Sequence, residues 1–273
     1  LTGTGKSTDL LGLARHEAQA TASTFATIGL EAALPTEAVL RALVNGSLLE
    51  GHAIGEWWAA QSKDLQFKFA GEVRRGITAG ETLMDIVRRV AGSPRLGIPG
   101  IMEVSRRNAG ALVHTSIMQV ASDARMAVYK ANEDIMKGYR YLSTLDGNIC
   151  VRCVARSGSE WNLELKPIGA TKLPFIQTPI HFNCRCLILP ILLSYKELGA
   201  DIPEPPTGTR ASDEGQVRAD ITMTEWLKSK PKAYVDDLLG PGRSTMFLNG
   251  KLSLSDLVSG TGRPLTLEQL KKK

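Results

Sequence analysis

All four cysteines of this 273-residue chain, Cys150, Cys153, Cys184 and Cys186, fall in one short window, and His181 lies inside it. That clustering constrains the fold more than any other feature. Cysteines spread along a chain would indicate scattered packing or a disulfide framework; a cluster indicates a metal site or a local structural knot. The text reads Cys150-x-x-Cys153, then His181-x-x-Cys184-x-Cys186. A Cys-x-x-Cys pair on a tight turn sends both sulfurs to one side, and a second group completes a tetrahedral zinc shell. Five groups compete for four places. Cys150, Cys153, His181 and Cys184 form the preferred set for a structural Zn2+, with Cys186 as the alternative ligand. Packing without metal is the competing reading. A thioredoxin-like redox role lacks the flanking βαβ pattern.

Around this knot the hydrophobic periodicity divides the chain. The first 35 residues are rich in Ala, Thr and Gly and only weakly periodic. Thr36 is placed to cap a helix that carries Val39, Leu40, Leu43 and Val44 on one face. Trp57 and Trp58 read as helix-packing residues. A further helix follows Gly80, with Leu83, Val87 and Val90 in phase, and Gly92-Ser93-Pro94 stops it. The strongest stripe, Val113, Ile117, Val120, Ala124, Val128, Ala131 and Ile135, predicts one long helix from near Glu103 to Gly138. Arg106, Arg107, Arg125 and Lys130 lie off that stripe and should be exposed. Residues 139–145 suit a strand, Asp146-Gly147 a turn, and Leu187 to Leu189 a buried strand ending at Pro190. Residues 201–220, with Pro203, Pro205 and Pro206, read as an extended linker. Short apolar clusters resume beyond it.

The expected architecture is α+β: a helical region over 1–138, a Cys-rich β-hairpin module over 139–200, the linker, and a helical docking tail over 221–273. Trp226, Leu227, Tyr234, Leu239 and Phe247 are the expected partner-binding contacts of that tail, because weak helices on a tether need a surface to fold against.

Gly3-Thr-Gly-Lys-Ser-Thr8 looks like the end of a phosphate-binding loop. It lacks the earlier Gly, the preceding strand and a later acidic strand end, so nucleotide use is not expected. His16, His52 and His114 are scattered without a nucleophile motif, and the chain is expected not to be an enzyme. No run reaches the ~18 apolar residues of a membrane span, and the opening residues lack a secretory-signal pattern. The chain opens at Leu1, so a native start upstream is expected. A net charge of +5 permits contact with nucleic acid without demanding it.

Several spaced residues carry a resemblance. Tyr139-Arg-Tyr-Leu-Ser-Thr-Leu-Asp-Gly-Asn-Ile-Cys-Val-Arg-Cys153, Trp161, and Pro179-Ile-His-Phe-Asn-Cys-Arg-Cys186 resemble the core of the Mu F-like minor head proteins of tailed phages. Thr115, Ala124-Arg125 and Tyr129 on the preceding helix fit the same pattern, and the resemblance covers about residues 100–190. Asp146 and Arg185 match it too, and are expected to act structurally in a turn and an ion pair. The resemblance implies a virion component that acts in head morphogenesis near the portal. Its implied partners are the portal protein and the major capsid or scaffold protein, with double-stranded DNA as a further candidate. It implies residence in the head interior or at the portal vertex, and in the host cytoplasm during assembly. The rival readings are a zinc-dependent nucleic-acid-binding module and a nucleotide-using transferase.

Overall fold

The computed structural model describes residues 4–49, 51–93, 95 and 97–272. The architecture is α+β, as expected. Gly3 of the phosphate-loop look-alike lies outside the described residues, and Thr4 opens α1 (Thr4–Ala26). Leu11, Ala14, Ala18, Thr21 and Phe25 are buried along α1 at spacings of three and four. Three of these five are small residues, so the stripe has little hydropathy contrast and the sequence shows it only faintly.

In α2 (Glu37–Gly46), the Thr36 hydroxyl accepts the Val39 N–H, as the cap signal predicts. The two-residue strands β1 (Leu48–Leu49) and β2 (His52–Ala53) pair antiparallel before α3 (Ile54–Thr78). In α4 (Leu83–Ala91) the Thr82 hydroxyl accepts the Asp85 N–H. Gly92, at φ 80°, closes that helix by donating its N–H to the Arg88 carbonyl. Strands β3 (Gly92–Ser93) and β4 (Ile98–Pro99) pair next.

The long helix, α5, runs from Ile101 to Ala131. Val120, Ala124 and Val128 of the expected stripe are buried, but Val113 and Ile117 are exposed. Leu112, Thr115 and Ser116 are buried instead. The buried face is therefore turned by about one residue, because small polar side chains that hydropathy does not flag occupy it. Asn132, itself buried, ends the helix short of Gly138. Its amide donates to the carbonyls of Val128 and Ala33, and its oxygen accepts the Ala33 N–H at 2.7 Å.

The remainder comprises β5 (Met136–Leu142), α6 (Val151–Arg156), β6 (Glu160–Asn162), β7 (Pro167–Ile168) and β8 (Leu187–Leu192). They are followed by β9 (Thr209–Ser212), β10 (Gly215–Arg218), α7 (Met223–Lys228), α8 (Lys232–Leu239), α9 (Pro241–Leu248) and α10 (Leu267–Lys271). A four-stranded antiparallel sheet has the order β7-β6-β5-β8. Tyr139 is paired with Trp161 on one side and Pro190 on the other. Pro190 is tolerated because β8 is an edge strand. Gly138 lies so close to β6 that an added Cβ would overlap the Trp161 carbonyl oxygen. Glycine is thus required in the strand itself.

The chain divides into two compact units, counting described residues only. Unit 1 comprises Leu1–Glu17, Thr36–Ala124 and Pro179–Cys184; unit 2 comprises Ala18–Pro35, Arg125–Thr178 and Arg185–Lys273. This division does not follow the expected boundaries at 138 and 200, since unit 2 includes the sheet together with everything beyond it.

The span read as a linker is also more ordered than its prolines suggest. Residues 209–218 form the β9–β10 hairpin, and the Asp213 N–H donates to the Leu145 carbonyl. The tail follows without a break in packing. Trp226, Leu227, Leu239 and Phe247 are each at most 2% exposed, and Tyr234 is half-buried. These side chains are core residues of unit 2, so the expectation that they present themselves to a partner is corrected. Three capping boxes, opened by Thr222, Ser253 and Thr266, fix the short helical turns that the sequence left weak. Lys230 is 3% exposed: its ammonium lies over the Trp226 ring and 2.5 Å from the Glu214 carboxylate. That contact ties hairpin and tail together.

Candidate metal centre

Two chain segments supply the site. The first leaves β5 through Asp146-Gly147, where the Asn148 N–H donates to the Asp146 carboxylate. Cys150 then takes an extended conformation and caps α6, so its carbonyl accepts the N–H groups of Cys153 and Val154. Cys-x-x-Cys therefore sits on the first turn of a helix, not in the tight turn expected. The consequence for the sulfurs is similar, since residues three apart share a helix face.

The second segment precedes β8. The Cys184 N–H donates to the His181 carbonyl, and Asn183 between them takes a left-handed φ of 59°. The Asn183 N–H donates to the hydroxyl of Thr115, which is buried and itself donates to the Ala111 carbonyl. Thr115 thus has a structural reason for its place in the recognised pattern. Phe182 meets the edge of Trp57 with ring centroids 5.2 Å apart.

These segments bring together two groups able to hold a metal ion. Cys150, Cys153 and His181 form one; Cys153, Cys184 and Cys186 form the other. Within each group the ligand atoms lie within 4.8 Å of one another. The preferred set divides here: Cys150, Cys153 and His181 fall together, whereas Cys184 groups with Cys153 and the alternative ligand Cys186. Cys153, Cys184 and Cys186 are buried, while Cys150 and His181 are half-buried. No cysteine is in a disulfide. The His181 Nδ1 lies 2.7 Å from the Phe182 carbonyl oxygen. Donation from that nitrogen fixes the tautomer whose lone pair is on Nε2, the usual arrangement for a ligating imidazole.

Three further residues face the cluster. The Tyr141 hydroxyl donates to the Cys153 sulfur at 3.5 Å. Arg156 is 2% exposed and donates to the Pro174 carbonyl. Burial pushes its guanidinium pKa down, while the Tyr141 hydroxyl and the Cys153 thiol oppose that shift. Arg210, on β9, donates to the Ser143 carbonyl. Burial lowers its pKa as well, and Cys186 opposes the shift. Sequence reading missed all three. Arg156 follows Cys153 by one helical turn, a faint signal, whereas Arg210 lies in text that reads as linker.

Asp146 and Arg185 act as expected. They form a bidentate ion pair with distances of 2.5 and 2.8 Å, pinning the turn before α6 to the residue between Cys184 and Cys186. Burial alone would raise the Asp146 carboxyl pKa. Hydrogen bonds from Arg185 and the Asn148 N–H, with the Arg185 charge, outweigh burial and hold it below the usual value.

Among the described residues no helix is long and apolar enough to cross a membrane. No curated protein and no solved structure matches the chain. Residues 68–189 match the family model described as Phage Mu protein F like protein, a span reaching upstream of the expected 100 into α3 and α4. It takes in β5, α6, the Asp146–Arg185 pair and all five cysteine and histidine ligand candidates, and over that span the chain is similar to the Phage Mu protein F-like family.

Proposed function

We propose that this protein is a minor head component of a tailed phage, acting near the portal by binding and not by catalysis. The observation that carries the reading is the family match over residues 68–189, since the Mu F-like family is one of phage head morphogenesis. The partner is the portal protein or, at the same vertex, the major capsid or scaffold protein. Exposed large apolar side chains on unit 1 support such docking. Phe67 is 81% exposed, and Phe69, Val113 and Ile117 are also exposed on α3 and α5. Exposed apolar residues of this size support association with another protein.

The test is to purify heads and quantify the protein by mass spectrometry. Wild type should co-purify with heads, and the double substitution Phe67→Ser, Phe69→Ser should reduce incorporation severalfold without altering circular dichroism. Absence of the wild-type protein from heads would sink the reading; full incorporation of the double variant would remove that surface from it.

A second reading, contact with packaged DNA, is favoured by exposed arginines on unit 1. Arg74, Arg95, Arg106 and Arg107 are exposed and form no ion pair among the described residues. Binding of this kind should weaken steeply as salt is raised. Salt-independent binding to duplex DNA, or none, would reject it.

A further inference from the structure

We propose that Cys150 and Cys153 are a redox-active pair that closes to a disulfide by exchange with a low-molecular-weight disulfide of the glutathione class, Cys150 being the attacking thiol and Cys153 the resolving one. Every residue invoked belongs to unit 2, no metal ion enters, and the head-assembly reading stands or falls separately.

The first support is the turn that carries the pair. Cys150 caps α6, and its carbonyl accepts the N–H groups of Cys153 and Val154, each at 3.0 Å. A turn closed in this way holds its first and fourth Cα atoms less than about 7 Å apart. A disulfide needs roughly 4.4–6.8 Å between the same two atoms, so the backbone is already at bridging distance. The two sulfurs lie within 4.8 Å of each other, and neither is in a disulfide. The exchange depends on this turn alone and requires no βαβ frame around it.

The second support is an asymmetry between the two thiols. Cys150 is half-buried at the helix cap, whereas Cys153 is 1% exposed. A small disulfide in solvent reaches the first and not the second, and access is one of the factors that set exchange rates. Cys153 is anchored from inside. The Ser143 hydroxyl donates to its carbonyl at 2.9 Å, and the hydroxyl of buried Tyr141 donates to its sulfur at 3.5 Å. Both anchors come from β5 or the residue next to it, so the resolving sulfur keeps its place while Cys150 reacts. A hydrogen bond donated to that sulfur favours its charged form, the one that attacks.

In the first step the Cys150 thiolate attacks one sulfur of the small disulfide. A bond forms between Cys150 and that sulfur, the original S–S bond breaks, and one small thiolate leaves. In the second step the Cys153 thiolate attacks the Cys150 sulfur, and the second small thiolate leaves. Two cysteines are oxidised and one small disulfide is reduced to two thiols, which take up the two protons that the cysteines give up. The second attack is intramolecular and oriented by the turn, so it outpaces attack by another small thiol. The bridge encloses only two intervening residues, too short a loop to stabilise the fold much, which suits a reversible mark better than a structural staple.

The experiment uses the full chain, reduced and then freed of reductant in the presence of a chelator that keeps metal off the thiols. It is equilibrated with oxidised and reduced glutathione at a series of ratios, quenched by alkylation and mapped by peptide mass spectrometry. Wild type should form a Cys150–Cys153 bridge and leave Cys184 and Cys186 alkylated, so free thiols fall from four to two. Excess reduced glutathione should reverse it. Cys153→Ser should instead accumulate one glutathione on Cys150, and Cys150→Ser should leave Cys153 unmodified while circular dichroism stays native. Mapping of the wild type decides the matter even where a variant fails to fold. No bridge at any ratio overturns the pair. A bridge from Cys153 to Cys184 or Cys186 overturns the choice of partner, and glutathione retained on wild-type Cys150 overturns the resolving role.

Discussion

Asp146 shows how one carboxylate can organise a site without taking part in its chemistry. It accepts the Asn148 N–H within its own turn and both branches of Arg185 from across the loop, so two distant segments meet at one side chain. Because its folded pKa is depressed, the pair contributes stability that is fully present above the unfolded value of about 3.9. That stability is lost as pH falls through the lower folded value. Asp146→Asn should therefore lower the thermal midpoint at neutral pH and flatten its fall in acid below about pH 4. An unchanged acid profile in the variant, measured by circular dichroism melts, would show that the pair contributes nothing. This pair was legible because a turn-forming Asp and an Arg inside a cysteine motif are both conspicuous. Arg156 and Arg210 were not, because burial of an arginine depends on elements far along the chain.

At the level of elements, strong local signals were read correctly and weak ones were not. Thr36 and Gly92 mark helix ends through backbone groups that must be satisfied locally, and both function as expected. The buried face of α5 was misplaced because Thr115 and Ser116 are polar by composition yet buried by context. The tail helices, of five to eight residues, are too short for periodicity to reveal their direction. Their stability rests on tertiary packing, and Trp226 is at its centre, with its ring edge-on to Tyr234. Trp226→Ala should cost about 3–5 kcal/mol. Chemical denaturation should register that loss; a change below about 1 kcal/mol would return Trp226 to the surface role first expected of it.

For the molecule as a whole, the decisive revision is that the segment beyond Ile202 belongs to the same unit as the sheet. Composition at 201–220 suggested a tether, but β9 supplies Arg210 to Ser143, Asp213 joins Leu145, and Ser212 bridges Leu145 in parallel. A chain ending near Ile202 should therefore lose more than a docking element. It should expose Ser143, Leu145 and the cysteine cluster, unfold cooperatively at lower denaturant, and show faster thiol modification of Cys153 and Cys186. Retention of wild-type stability and thiol protection by the truncated chain would restore the tail to an independent element.

Pro190 has a meaning beyond the geometry of its own strand. A strand at the margin of a sheet can recruit a matching strand from another molecule, and that hazard grows wherever copies are concentrated in a confined volume. A residue without an N–H interrupts the row of donors along β8, the strand that borders this sheet. Pro190 therefore makes each copy a poor template for strand exchange with its neighbours, so crowding of copies would not by itself fuse their sheets.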